Sequence, residues 1–199
     1  MSGQGVDPTR RRLLAVTTGL GLVGAGFAAA PFVLSMMPSA RARARGAPVA
    51  VDISKLEPGQ MLIVEWRGKP VWIVNRTAEM LASLAQLDEA VADPRSEDSI
   101  QPVYAINEAR SIKPEILVLV GICTHLGCSP LAKLVSGAAS GLGREWRGGF
   151  FCPCHGSKFD LAGRVYKNVP APTNLVVPPY GFLSDTRIII GEHPEKGIA

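Results

Sequence analysis

The apolar and polar positions of this chain divide it into three stretches of different texture. From Leu13 to Met37 there are 25 residues without a charge, rich in Leu, Val, Ala and Gly and flanked by arginine on both sides. About 20 apolar residues suffice to cross the hydrocarbon core of a membrane as a helix. A buried helix of a soluble domain would show a polar face, and none is present. Gly19, Gly21, Gly24 and Gly26 lower helix propensity, but glycine is frequent in membrane helices and admits close neighbours. Residues 13–37 are therefore expected to form a transmembrane anchor. Residues 38–50 lack periodicity and are bounded by Pro38 and Pro48, as expected of a linker.

Residues 51–199 suit one compact head domain, and its patterning is mainly β. Strands are predicted at Met61 to Trp66 and Val71 to Val74, joined by the turn signal Arg67-Gly68-Lys69-Pro70. Further strands are predicted near Ile116 to Val120, Gly149 to Phe151, Asn174 to Val177 and Arg187 to Ile190. One helix interrupts them: Thr77 offers an N-cap, Glu79 sits in the first turn, and Leu81, Leu84, Leu87 and Val91 recur at helical spacing. That stripe reads as a core-facing surface, not a cofactor box. Pro94, Pro102 and Pro114 mark residues 92–115 as a loop-rich insertion, and Ser136 to Gly143 reads as a mobile surface loop.

Charge sharpens the division. Residues 1–50 hold six arginines, Arg10, Arg11, Arg12, Arg41, Arg43 and Arg45, against Asp7 alone. The rest keeps 15 of the 21 basic and 16 of the 17 acidic residues, so the net charge of +4 belongs to the N-terminus and signals no nucleic-acid partner. Thr9-Arg10-Arg11-Arg12-Leu13-Leu14 resembles a twin-arginine export signal, which serves proteins exported folded. Ser39-Ala40 is a weak cleavage site, and the length of the span favours a retained anchor. The expected location is a bacterial cytoplasmic membrane, single-pass, with the N-terminus (residues 1–12) in the cytoplasm and the head in the periplasm.

The chemistry is concentrated in two boxes. All four cysteines and two of the three histidines lie in Cys123-Thr124-His125-Leu126-Gly127-Cys128 and Cys152-Pro153-Cys154-His155-Gly156-Ser157. Two thiolates and two imidazoles are the ligands of a Rieske [2Fe-2S] centre, in which histidines replace cysteines on one iron. Structural zinc takes the same donor types and is the competing metal reading, but four ligands leave Cys128 and Cys154 over, at equivalent places in the two loops. A framework of two disulfides would leave His125 and His155 unexplained. No phosphate-binding glycine loop and no hydrolytic triad is present. His193 reads as a solvated tail residue, Trp66, Trp72 and Trp146 as packing residues, and Lys158 as a surface cation close to the second box.

The boxes resemble those of the Rieske subunit of cytochrome bc complexes, the quinol:cytochrome c oxidoreductases. The resemblance implies an antiparallel β-sandwich head with one inserted helix on a single membrane helix, holding one [2Fe-2S] cluster. It implies that Cys123 and Cys152 bind the buried iron, that His125 and His155 bind the outer one, and that Cys128 pairs with Cys154, a bond that persists in an oxidising compartment. Leu126 matches the apolar residue that shields the cluster and Ser157 a serine that donates to a bridging sulfide. Pro170-Ala171-Pro172 matches a proline loop closing over the cluster, with Val169 where the family has glycine. Phe159 stands where many members have a tyrosine that donates to a ligand sulfur, which predicts a lower reduction potential.

The implied function is one-electron transfer from quinol, hydrogen-bonded to His125 or His155, to a c-type cytochrome, with proton release. The implied partners are cytochrome b and a c-type cytochrome in a dimeric complex, the quinol and membrane lipid. An alternative is the Rieske subunit of another exported oxidoreductase, such as arsenite oxidase; a membrane-tethered zinc module is the other.

Overall fold

The computed structural model describes residues 7–193; residues 1–6 of the N-terminal leader and the tail from residue 194 lie outside the described residues. The chain divides into two units between Ala44 and Arg45. In the first, α1 (Pro8–Ser35) starts earlier than the apolar run, so Arg10, Arg11 and Arg12 lie within its first turns. Asp7 caps it by accepting from the Thr9 N–H, and Pro8 occupies the first turn, where its missing N–H costs nothing. The helix buries no residue in its own unit, as expected of one whose solvent is lipid. Two of its hydroxyls bond within the helix: Thr17 donates to the Leu13 and Leu14 carbonyls, Ser35 to that of Phe32. The stretch read as linker contains a short helix, α2 (Ala40–Arg45), and its last residues enter a strand.

Among its described residues the second unit contains nine strands in three antiparallel sheets of three. β1 (Val49–Asp52), β9 (Arg187–Ile190) and β8 (Tyr180–Ser184) form one; β2 (Met61–Trp66), β3 (Lys69–Asn75) and β4 (Ile116–Val120) form the second. The third is β5 (Leu131–Lys133), β6 (Gly149–Phe151) and β7 (Lys158–Phe159). One apolar core joins them: Val51, Ile188, Ile190 and Phe182 from the first sheet, Val71, Ile73, Leu117 and Leu119 from the second, Phe150 and Phe159 from the third. All five residues of β4 and Val71 to Val74 of β3 are buried, which explains why those strands read as unbroken apolar runs. Trp72 stacks on Phe150 at 4.7 Å, and its ring fills the space beside Gly121, where a Cβ would lie 2.2 Å from it.

Several sequence expectations need correction. The β2–β3 turn is the two residues Arg67 and Gly68, both at positive φ (53° and 72°), with Lys69 and Pro70 already in the strand. α3 runs only from Ala78 to Ala85, capped by the Thr77 side chain, so Leu87 and Val91 lie beyond it. They are buried all the same, because the chain continues in turns and Val91 bridges Tyr166. Residues 174–177 form no strand: their backbone bonds go to Gly163, Val120 and Ile100 in turn, and Pro178 and Pro179 follow. A ladder needs successive bonds to one neighbour, and this segment has three.

The loop-rich insertion contains one turn of 3-10 helix (Val103–Ala105) and much buried polarity. Arg110 is fully buried and donates to the carbonyls of Ala162, Gly163 and Leu175 and to the Gln101 amide oxygen. Arg76 donates to the carbonyls of Pro114 and Leu161 and to the Ser111 hydroxyl. Burial pulls both guanidinium groups down to about 10, with the Asp160 charge working against it, so both remain cationic at neutral pH. Trp66, Trp72 and Trp146 are buried as packing residues, and His193 is exposed, 6.2 Å from the Tyr104 ring.

Candidate iron-sulfur centre

The register of the third sheet brings the two boxes together. Leu131 of β5 pairs with Phe151 of β6, and Phe151 with Lys158 of β7. The second box, residues 152–157, is therefore the loop of the β6–β7 hairpin, and the first box ends three residues before Leu131, at the same end of that sheet. Each box is closed by the same two backbone bonds. The Cys123 N–H donates to the Cys128 carbonyl and the Gly127 N–H to that of Cys123; the Cys152 N–H donates to the Ser157 carbonyl and the Gly156 N–H to that of Cys152. Gly127 and Gly156 have φ of 83° and 77° with open space where a Cβ would lie, so glycine serves here for backbone conformation and not for room.

This closure shows that Cys128 and Cys154 are not equivalent, contrary to the sequence reading. Cys128 ends its loop, where the second box has Ser157, and Cys154 falls two residues after Cys152, where the first box has His125. They are joined nonetheless, as a disulfide with Cα atoms 6.7 Å apart. Cys123 and Cys152 are free and buried, which removes the reading as a framework of two disulfides. The Cys152 sulfur lies within 4.8 Å of both disulfide sulfurs, but two of that trio are committed to each other and cannot serve as ligands.

The two imidazoles meet at right angles, with ring centroids 4.7 Å apart. His155 is exposed and His125 half-buried. His125 Nδ1 is buried without a hydrogen-bond partner among the described residues, an expensive state for a ring nitrogen that nothing binds. Burial pushes the Cys123 thiol up; the His125 backbone and the Ser157 hydroxyl work against it, and the neighbouring Cys152 adds to it. Buried thiols of this kind give up their protons when a metal takes their place. Two buried free thiols, two adjacent imidazoles and one orphaned Nδ1 fit the donor set of a [2Fe-2S] centre.

The surroundings of the boxes hold the remaining sequence candidates. Ser157 is buried, and its Oγ accepts from the Ala171 N–H at 3.0 Å. Thr124, inside the first box but assigned no role from sequence, donates to the Thr173 carbonyl at 2.7 Å. The proline segment is thus bonded to both boxes. Leu126 is 72% exposed, an apolar side chain facing solvent next to His125. Phe159 is fully buried, and Lys158 is half-buried directly after the second box.

Comparison with known proteins agrees with this geometry. Residues 47–180 match the family described as the Rieske [2Fe-2S] domain, and residues 1–39 match the ubiquinol-cytochrome c reductase Fe-S subunit TAT signal. The ubiquinol-cytochrome c reductase iron-sulfur subunit of Allochromatium vinosum is 63% identical over 96% of this chain and 93% of its own. Those of Bradyrhizobium diazoefficiens (42% identical; 92% of this chain, 95% of its own) and Blastochloris viridis (43%; 96% and 97%) are also similar. The chain belongs to the Rieske iron-sulfur family, among the ubiquinol-cytochrome c reductase iron-sulfur subunits. Its cofactor is the Rieske [2Fe-2S] cluster, and the zinc reading falls.

Proposed function

We propose that the chain is the electron-transfer subunit of a proton-translocating quinol:cytochrome c oxidoreductase. The observation that carries this is the pair of buried free thiols beside two touching imidazoles, in a chain 63% identical to such a subunit along nearly its whole length. The same likeness favours it over a subunit of arsenite oxidase. Cys123 and Cys152 would hold one iron as thiolates, and His125, through its orphaned Nδ1, and His155 would hold the other. When bound, the cluster supplies one-electron chemistry at a potential that histidine ligation raises toward that of quinols.

The remaining work falls to the protein's own groups. His155, exposed, presents its outer nitrogen as hydrogen-bond acceptor for a quinol hydroxyl and then holds the proton there. Leu126 keeps water from the histidine edge until a partner covers it. Ser157, its acceptor side occupied by Ala171, would turn its proton toward the cluster sulfurs and favour the more negative reduced state. The disulfide keeps the two loops together whether or not metal is present.

The organisation assigned to the chain is a cytoplasmic N-terminus (residues 1–12), an anchor (13–37), a linker (38–50) and a head (51–199) on the periplasmic side, in lipid and in a dimeric complex with cytochrome b and a c-type cytochrome. Support comes from the apolar helix, the match to a twin-arginine signal and the relatives' names. The test is electron paramagnetic resonance of dithionite-reduced membranes, with and without a quinol-site inhibitor. A signal of low average g that shifts with inhibitor is expected; a signal blind to it would remove the quinol-oxidising role.

A further inference from the structure

The segment from Pro170 to Thr173 reaches both boxes but has few bonds of its own. Pro170 and Pro172 have no N–H, and its links to the boxes are the two from Ala171 to Ser157 and from Thr124 to Thr173. The next residue fixes its base. Asn174 is fully buried, and its amide is used from both ends: Oδ1 accepts from the Val165 N–H at 2.8 Å, while Nδ2 donates to the Asp93 carbonyl at 2.8 Å and the Ser96 hydroxyl at 3.0 Å. Its backbone N–H donates to the Ser99 hydroxyl at 3.1 Å. Three of these four partners belong to the insertion, far from the boxes in sequence.

The insertion is shaped to offer them. The Asp93 carboxylate accepts from the N–H groups of Glu97 and Asp98 and from the Ser99 hydroxyl, folding residues 93–99 into one turn. Ser96 stands there at φ 57°, a left-handed conformation that strains a non-glycine residue and persists only where its surroundings over-determine it. A buried amide with every partner in place favours a single arrangement, where apolar packing would permit several.

We propose that Asn174 is a positioning residue for electron transfer: pinned by the Asp93–Ser99 turn, it sets the Pro170–Thr173 segment so that the Ala171 N–H occupies Ser157 Oγ and leaves the Ser157 proton for the cluster. A hydroxyl has one proton and two lone pairs, so an occupied acceptor side restricts where the proton points. Once the segment shifts, the hydroxyl is free to rotate and the reduced cluster loses its donor for part of the time. The proposal rests on the reading of Ser157 as a cluster donor.

The test uses the detergent-solubilised holoprotein with Asn174→Ala, and Ser96→Ala with Ser99→Ala as a milder pair should Asn174→Ala not fold. The expected result is a fall in midpoint potential by protein-film voltammetry, no larger than that of Ser157→Ala, with a Rieske-type resonance spectrum retained. Hydrogen exchange across residues 169–175 should quicken by about tenfold, as for the loss of one or two buried hydrogen bonds. In a Ser157→Ala background the latch variants should lower the potential no further. An unchanged potential, or an equal fall in that background, overturns the proposal. Ser157→Ala alone separates the failures: a fall there without response to the latch variants sinks only the latch, and no fall sinks the donor reading and the latch with it.

Discussion

Arg164 is the most exacting test of how the head is held behind the second box. Its side chain and that of Asp160 are both fully buried, with Nε 2.7 Å from Oδ2. Its other nitrogens donate at 2.7 Å to Asp88, which is half-exposed, and to the Leu84 carbonyl, tying α3 and the turn after it to the segment following the second box. Removing one partner of a buried ion pair costs about 3–5 kcal/mol because the other charge is left uncompensated. The Asp88 contact adds at most about 1 kcal/mol, since water screens it. Asp160 keeps the N–H groups of Ala162 and Arg164, which holds the loss toward the lower end of the range. Arg164→Met should therefore destabilise the protein by about 4 kcal/mol, a large part of the ~5–15 kcal/mol that stabilises a typical domain. Urea unfolding of the detergent-solubilised holoprotein, followed by tryptophan fluorescence, measures it. A loss under 1 kcal/mol would refute this account.

Alkaline pH tests the buried tyrosines. Burial, with the Asp160 charge adding to it and Arg164 and Arg147 opposing, pushes the Tyr166 hydroxyl from 10.0 up to about 12. The folded state then keeps a proton that the unfolded chain releases, so this contribution is complete below pH 10 and fades between pH 10 and about 12. Tyr104 and Tyr180 are raised in the same direction, again by burial first. Tyr166→Phe should give a shallower alkaline limb in melts from pH 8 to 11.5 and no loss at pH 7, since its hydroxyl is buried without a partner among the described residues. The Cys128–Cys154 bond spans 26 residues, for which loop entropy gives about 3.5 kcal/mol. Paired Cys128→Ala and Cys154→Ala changes should lower stability by about that much in chemical denaturation, and a change under 1 kcal/mol would remove the entropic account. Phe159→Tyr should raise the midpoint potential if the new hydroxyl reaches a ligand sulfur, and voltammetry showing no rise would place it out of reach.

What the sequence determined is whatever local chemistry suffices to encode. Strands at Met61, Ile116, Gly149 and Arg187 have the predicted bounds, because apolar runs ended by Gly, Pro or charged residues have few other ways to satisfy their backbone. The long apolar helix follows from length without charge, and the cluster from donor types at short spacing. The tertiary structure decided where polar groups find partners across long sequence distances. Asn174 to Val177 reads as a strand, yet its bonds scatter over three segments and its asparagine becomes a buried post for a turn 75 to 81 residues earlier. The two boxes look alike in sequence, but only their backbone closure shows that Cys128 and Cys154 stand at different places in their loops. Nor does any local signal foretell that Arg110, in a polar insertion rich in proline, is fully buried against the carbonyls of Ala162 and Leu175. A charged side chain enters a core only when enough acceptors converge on it, and that convergence comes from segments that meet only in the folded chain.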